Sequence, residues 1–156
     1  TDRGSERDNP YAKTVRAGLR ALMNGQNADG RFGDDLRTHI RATLAMSEAY
    51  WMTRNPRFKR PAQDALHYLA RARSPYSGWP KDAPDTITTA EAVMALKSMA
   101  GREWFALAAF QIDVEVESDK ALLAAQKKDG SWGSIRDTAV AVRILITKFR
   151  YDRMFR

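Results

Sequence analysis

Apolar side chains recur every three to four residues in paired stretches along this chain, the spacing of helices that bury one face. Val15, Leu19, Leu22 and Met23 form the first stripe, and Ile40, Leu44 and Ala45 the second. Ala62, Leu66 and Leu69 form the third, and Ala92, Val93 and Leu96 the fourth. Leu122 and Leu123 make a short fifth, and Val142, Leu145 and Ile146 the sixth. The pattern predicts helices over 10–25, 37–53, 60–73, 88–100, 103–125 and 137–150. Thr38, Thr88 or Thr89, and Thr138 stand where N-caps belong, and Pro61 suits the first turn of the third helix. Ile112, Val114 and Val116 alternate with Asp113, Glu115 and Glu117, a strand-like period. It predicts a break there, with the helix proper at 118–126.

The loops between paired helices repeat. Gln26-Asn27-Ala28-Asp29-Gly30-Arg31-Phe32-Gly33 returns as Gln126-Lys127-Lys128-Asp129-Gly130-Ser131-Trp132-Gly133. A weaker copy, Arg73-Ser74-Pro75-Tyr76-Ser77-Gly78-Trp79-Pro80, lies between them, with its glycine slipped to Gly78. Phe32, Trp79 and Trp132 are 47 and then 53 residues apart. The unit is helix, Gly-rich turn, helix, in repeats over 10–56, 57–101 and 102–150. Gly30 and Gly130 suit positive φ. Asp29 and Asp129 suit bonds from backbone N–H groups of a tight turn. The aromatic is expected to fold over the end of the preceding helix, with Gln26 or Gln126 bonding spare backbone groups. Asp29, Asp34 and Asp35 offer a calcium-loop alternative, but the distal glutamate of a calcium-binding hand is missing, so no metal site is expected.

At 156 residues, 44% hydrophobic and 29% charged, the chain is a globular domain. Absence of cysteine removes disulfides, thiolate zinc sites and cysteine nucleophiles. No apolar run is long enough to span a bilayer, and no signal peptide is visible. The first residue is Thr1, which suggests a processed chain or a piece of a longer one. Residues 1–9 are expected to be a flexible segment and 151–156 a basic tail. The net charge of +7 raises the question of nucleic acid, but the basic residues are spread along the chain. Lys148, Arg150, Arg153 and Arg156 suit a solvated helix end, so nucleic acid is not an expected partner. His39 and His67, in different repeats, suit surface or interhelical positions. The sequence does not indicate the compartment.

The turns Q-x-x-D-G-x-aromatic-G resemble the QW-type repeat of prenyltransferases and squalene cyclases. The stretch Thr88–Lys97 (TTAEAVMALK), with Ala45–Met52 and Pro61-Ala62-Gln63, resembles prenyltransferase/squalene oxidase repeat proteins widespread in bacteria. The resemblance implies an all-α fold of three αα-hairpins stacked as a partial or small α–α toroid. The related terpenoid cyclases use a D-x-D-D-T acid. Here Asp82-Ala83-Pro84-Asp85-Thr86 puts proline at the acid's place, and proline has no proton to give. Protein prenyltransferases hold zinc with Asp, Cys and His, and this chain lacks the cysteine. Gly78-Trp79-Pro80 is similar to turns of pectate lyases, for which Arg73, Asp82 and Asp85 would supply base and calcium ligands.

Tyr50 and Trp51 end one helix, and Trp104, Phe105 and Phe110 crowd a short segment. Such aromatics pack in cores; in a toroid, Tyr50, Trp51, Trp104 and Phe105 could line a cleft for an isoprenoid or another apolar ligand. Trp104 and Phe105 also suit an exposed patch that meets a partner. Three hairpins are about half of the family's ring, so terminal faces would need covering, by self-association or by docking on another protein domain. The reading that follows is a non-catalytic repeat module without a cofactor, binding a protein partner or an apolar ligand. The alternative is a reduced class II cyclase-like enzyme acting on an isoprenoid, with Asp82 or Asp85 as its acid.

Overall fold

The computed structural model describes residues 11–74, 78–98 and 112–154, with side chains of the last segment placed over 118–147. Among these residues the chain is all-α: α1 (Ala12–Asn24), α2 (Leu36–Thr53), α3 (Pro56–Arg71), α4 (Thr86–Lys97), α5 (Ile112–Ala124) and α6 (Ile135–Met154). α2, α4 and α6 form a row with α4 at its centre. α1 packs on α2, α3 lies against α2 and α4, and α5 lies against α4.

Three apolar clusters hold this arrangement. Phe32, Met46, Tyr50, Phe58, Ala62 and Ala65 join α2 to α3, with Leu19, Leu22 and Met23 of α1 on their flank. Ile40, Leu66, Leu69, Trp79, Val93 and Leu96 join α2, α3 and α4. Ile87, Leu122, Val140, Ala141 and Ile144 join α4 to α5 and α6. Each fully buried leucine contributes about 1.5–3 kcal/mol. α4 is buried on most of its circumference, and Ala90, Ala92 and Ala95 let its neighbours approach closely.

The threonines predicted as N-caps sit one turn inside their helices. The caps are Asp35, whose Oδ1 accepts from the Thr38 N–H at 2.9 Å, and Asp85, whose Oδ1 accepts from the Thr88 N–H at 2.8 Å. In the third repeat the Ser134 hydroxyl accepts from the Asp137 N–H at 3.0 Å. A carboxylate in extended backbone meets an exposed N–H more favourably than a threonine already in the helix. α3 starts earlier than its pattern suggests, because Asn55 caps it and Pro56 fills its first position. Pro61 is therefore interior; its missing N–H deprives only the carbonyl of Arg57, a water-facing residue. α5 is continuous from Ile112 to Ala124, so the predicted break at 112–117 is absent. Glutamate's helix propensity and the continuing turn outweigh a weak alternation of β-branched residues. α6 runs to Met154 and takes in most of the expected tail. Residues 1–9 and the segment with Trp104, Phe105 and Phe110 lie outside the described residues.

Candidate functional site

The loop between α1 and α2 and the loop between α5 and α6 have the same internal bonding. Gln26 Nε2 and Gln126 Nε2 each donate to the carbonyl of the loop glycine, Gly30 or Gly130, at 3.0 Å. Asp29 Oδ1 accepts from the Arg31 N–H at 3.1 Å, and Asp129 Oδ1 from the Ser131 N–H at 3.0 Å. That backbone bond lowers the Asp129 pKa. The indoles of Trp79 and Trp132 donate to the carbonyls of Leu69 and Leu122, at 2.8 and 2.6 Å, pinning each loop to the preceding helix. Gly78 is required by close approach: a Cβ there would lie 2.0 Å from the Thr89 hydroxyl oxygen.

A further repeated bond is visible only once the caps are known. Four residues after each cap stands a side chain that accepts from the N–H of the loop aromatic. His39 Nδ1 accepts from Phe32 at 3.1 Å, Thr89 Oγ1 from Trp79 at 2.9 Å, and Thr138 Oγ1 from Trp132 at 3.0 Å. His39 is fully buried, and its Nε2 donates to the Ala65 carbonyl at 3.1 Å. Its Nδ1 is therefore the bare nitrogen, and the ring is neutral. Desolvation lowers its pKa from 6.5 to about 4.

The first turns of α2, α4 and α6 converge on Arg37. Its Nε donates to Thr88 Oγ1 at 3.1 Å and its Nη1 to Asp137 Oδ1 at 3.1 Å, while Nη2 stands 3.7 Å from Asp85 Oδ1. Bonds from Thr38 to Asp35, and from Ser134 and then Arg37 to Asp137, lower both carboxyl pKa values. One turn deeper, Arg41 Nη2 reaches Oε1 of the buried Glu91 at 3.5 Å. These contacts tie the three helix starts together by charge.

The sequence-predicted site residues are separated by this arrangement. Asp85 is a cap engaged with Thr88 and Arg37, and Asp82 is exposed on the preceding loop. Tyr50 is buried in the α2–α3 cluster. The Trp51 ring lies under the Arg54 guanidinium, 3.7 Å from its carbon. Among the described residues no group of three His, Asp or Glu side chains is placed to hold a metal ion. No helix among them is long and apolar enough to cross a membrane.

The repeats differ in what covers them. In the first, α3 lies against α2 and the loop. Gln26 Nε2 donates to the Pro61 carbonyl at 2.9 Å, and Arg71 Nη2 to the Asp29 carbonyl at 2.9 Å. A Cβ on Gly30 would stand 2.3 Å from the Asp64 carbonyl oxygen. On α2, His39 touches α3 through the Ala65 carbonyl, and Thr43 and Ser47 follow it at four-residue spacing, each of the three 0% exposed. Counted from its cap, the matching stripe of α6 is Thr138, Val142 and Ile146. There Val142 is 42% exposed and Ile146 52%, and Leu123 at the end of α5 is 60% exposed. A Cβ on Gly130 would meet no atom of the described residues within 4 Å. The groove that α3 fills in the first repeat, and α5 fills against α4 in the second, has no covering helix in the third among the described residues.

Comparison of the chain with family models, with curated proteins and with solved structures gave no match.

Proposed function

We propose that this chain is a non-catalytic repeat module, of the prenyltransferase and squalene-cyclase type, that binds a protein partner through the open groove of its third repeat. On this reading the described hairpins are part of an α–α toroid. The observation that carries it is the contrast between Gly30, packed against the α3 backbone, and Gly130, which no atom of the described residues approaches in a loop of the same bonding. Val142 and Ile146 on α6, and Leu123 at the end of α5, offer exposed apolar area on the two helices that the loop joins. Gln126 and the carbonyl of Asp129 correspond to the groups that bond α3 in the first repeat. A helix with small residues facing the loop is the shape of partner that fits.

The test uses a labelled peptide of residues 56–71, the sequence that fills the first groove. The expectation is saturable binding with Kd between about 10 µM and 1 mM, since the peptide must fold as it docks. Val142→Glu should abolish it. Binding that Val142→Glu leaves intact, or no binding at all, would count against this groove. Turnover of a polyprenyl substrate that is lost in Asp85→Asn would instead favour the cyclase-like alternative.

A further inference from the structure

The two ends of the array are complementary. At one end the third repeat has a groove that no helix among the described residues covers. At the other, α1 is an outer helix whose only substantial packing among the described helices is on α2, its own hairpin partner. Counting back by the 47 residues that separate Phe32 from Trp79, four α3 residues match four of α1. Pro61, Ala62, Asp64 and Ala65, which face the first loop and α2, match Thr14, Val15, Ala17 and Gly18. The inward residues correspond too: Leu66 and Leu69 match Leu19 and Leu22, which pack on their own repeat.

The outward face of α1 is therefore that of α3 without its groove. Phe58 is 8% exposed under α2, whereas its counterpart Tyr11 is 73% exposed. Ala62 is fully buried, whereas Val15 is 55% exposed. Ala65 touches His39 through its carbonyl, whereas a Cβ on Gly18 would meet no atom of the described residues within 4 Å.

We infer that the partner of the third-repeat groove is a second copy of this chain, which docks the Tyr11–Val15–Gly18 face of its α1 there. The inference rests on the groove reading above. The contact is head-to-tail, with different surfaces on the two copies, so it either closes a ring or extends as a filament. The apolar seam has basic surroundings on both sides: Lys13, Arg16 and Arg20 on α1, and Lys127, Lys128 and Arg143 near the groove. Screening that repulsion should strengthen the contact, so moderate salt should promote association.

The experiment is sedimentation of the full chain across a dilution series, at low and moderate salt, with two variants. Val142→Glu blocks the groove, and Gly18→Arg blocks α1. Both positions are exposed, so the fold should tolerate the changes, which helical circular dichroism checks. Wild type should gain mass with concentration and with salt. Each variant alone should stay monomeric. An equimolar mixture should form a 1:1 heterodimer, because each variant keeps the surface the other lacks. A wild type monomeric up to about 1 mM overturns the inference, as does a mixture that fails to pair. If the residue 56–71 peptide still binds while copies do not, the groove stands and the second copy falls. If neither binds, both fall.

Discussion

His39 is held neutral by a bond at each nitrogen and by complete burial, and this gives folding a pH signature. The unfolded chain protonates this ring below 6.5, whereas the folded chain resists until about 4. The unfolded state thus binds more protons between those values, and stability falls as pH drops through that window. The full contribution is present above the unfolded value and is lost below the folded one. Acidification should cost about 3 kcal/mol from this residue. The lowered carboxyl groups of Asp35 and Asp137 act at lower pH, since their losses set in as the unfolded carboxyls titrate around 3.8 and continue below it. His39→Thr copies the residue used at this place in the other two repeats and keeps an acceptor for Phe32. Urea titrations should find it less stable at neutral pH, by about 1–3 kcal/mol, yet flatter between pH 4 and 6.5. An unchanged pH profile would show that another group carries the dependence. Asp85 gives a second test. Asp85→Ala should cost about 0.5–2 kcal/mol through the lost cap, while Asp85→Asn should cost a few tenths. A large loss in Asp85→Asn would mean that its charge beside Arg37, rather than its cap bond, dominates. Neither role was legible in the sequence. The caps lie one turn before the threonines that mark the pattern, and the acceptor position follows from the cap.

The elements were legible where one side of a helix is buried and the other wet. α2 and α3 announce themselves through Ile40 and Leu44, and through Ala62, Leu66 and Leu69. The first half of α5 was not, because alternating Ile112, Val114 and Val116 suggest a strand, and only the backbone shows helix there. The internal bonds of the two good loops follow from Gln, Asp and Gly at fixed offsets, since few residues can meet those N–H groups in so tight a turn. What covers each loop does not follow, because an identical motif lies against α3 in one repeat and faces open space in another. That difference predicts unequal costs for one substitution. Gly30→Ala must bear both positive φ, here 93°, and a clash with the Asp64 backbone. Gly130→Ala bears only its φ of 83°. Thermal unfolding should show about 1–2 kcal/mol lost in Gly130→Ala and more than twice that in Gly30→Ala. Equal losses would remove the claim that the two loops differ in packing.

At the scale of the whole molecule, Arg37 and Arg41 bind the starts of the row α2, α4 and α6 by charge, and the three clusters bind it by apolar burial. α3 covers the groove of the first repeat and α5 that of the second, so the described residues are asymmetric, with an open groove in the third repeat and an uncovered α1 in the first. The exposure of Val142, Ile146 and Leu123 at one end and of Val15 and Tyr11 at the other expresses that asymmetry. The sequence shows the repeats but not this polarity, because the stripe Thr138, Val142 and Ile146 reads as an ordinary core face until its neighbours are known. The most direct measurement is chemical-shift mapping of the isotopically labelled chain as the residue 56–71 peptide is added. The account predicts saturable shifts at Gly130, Thr138, Val142 and Ile146, with Gly30 and the α2 stripe unmoved. Shifts centred elsewhere, or none at these residues, would contradict it.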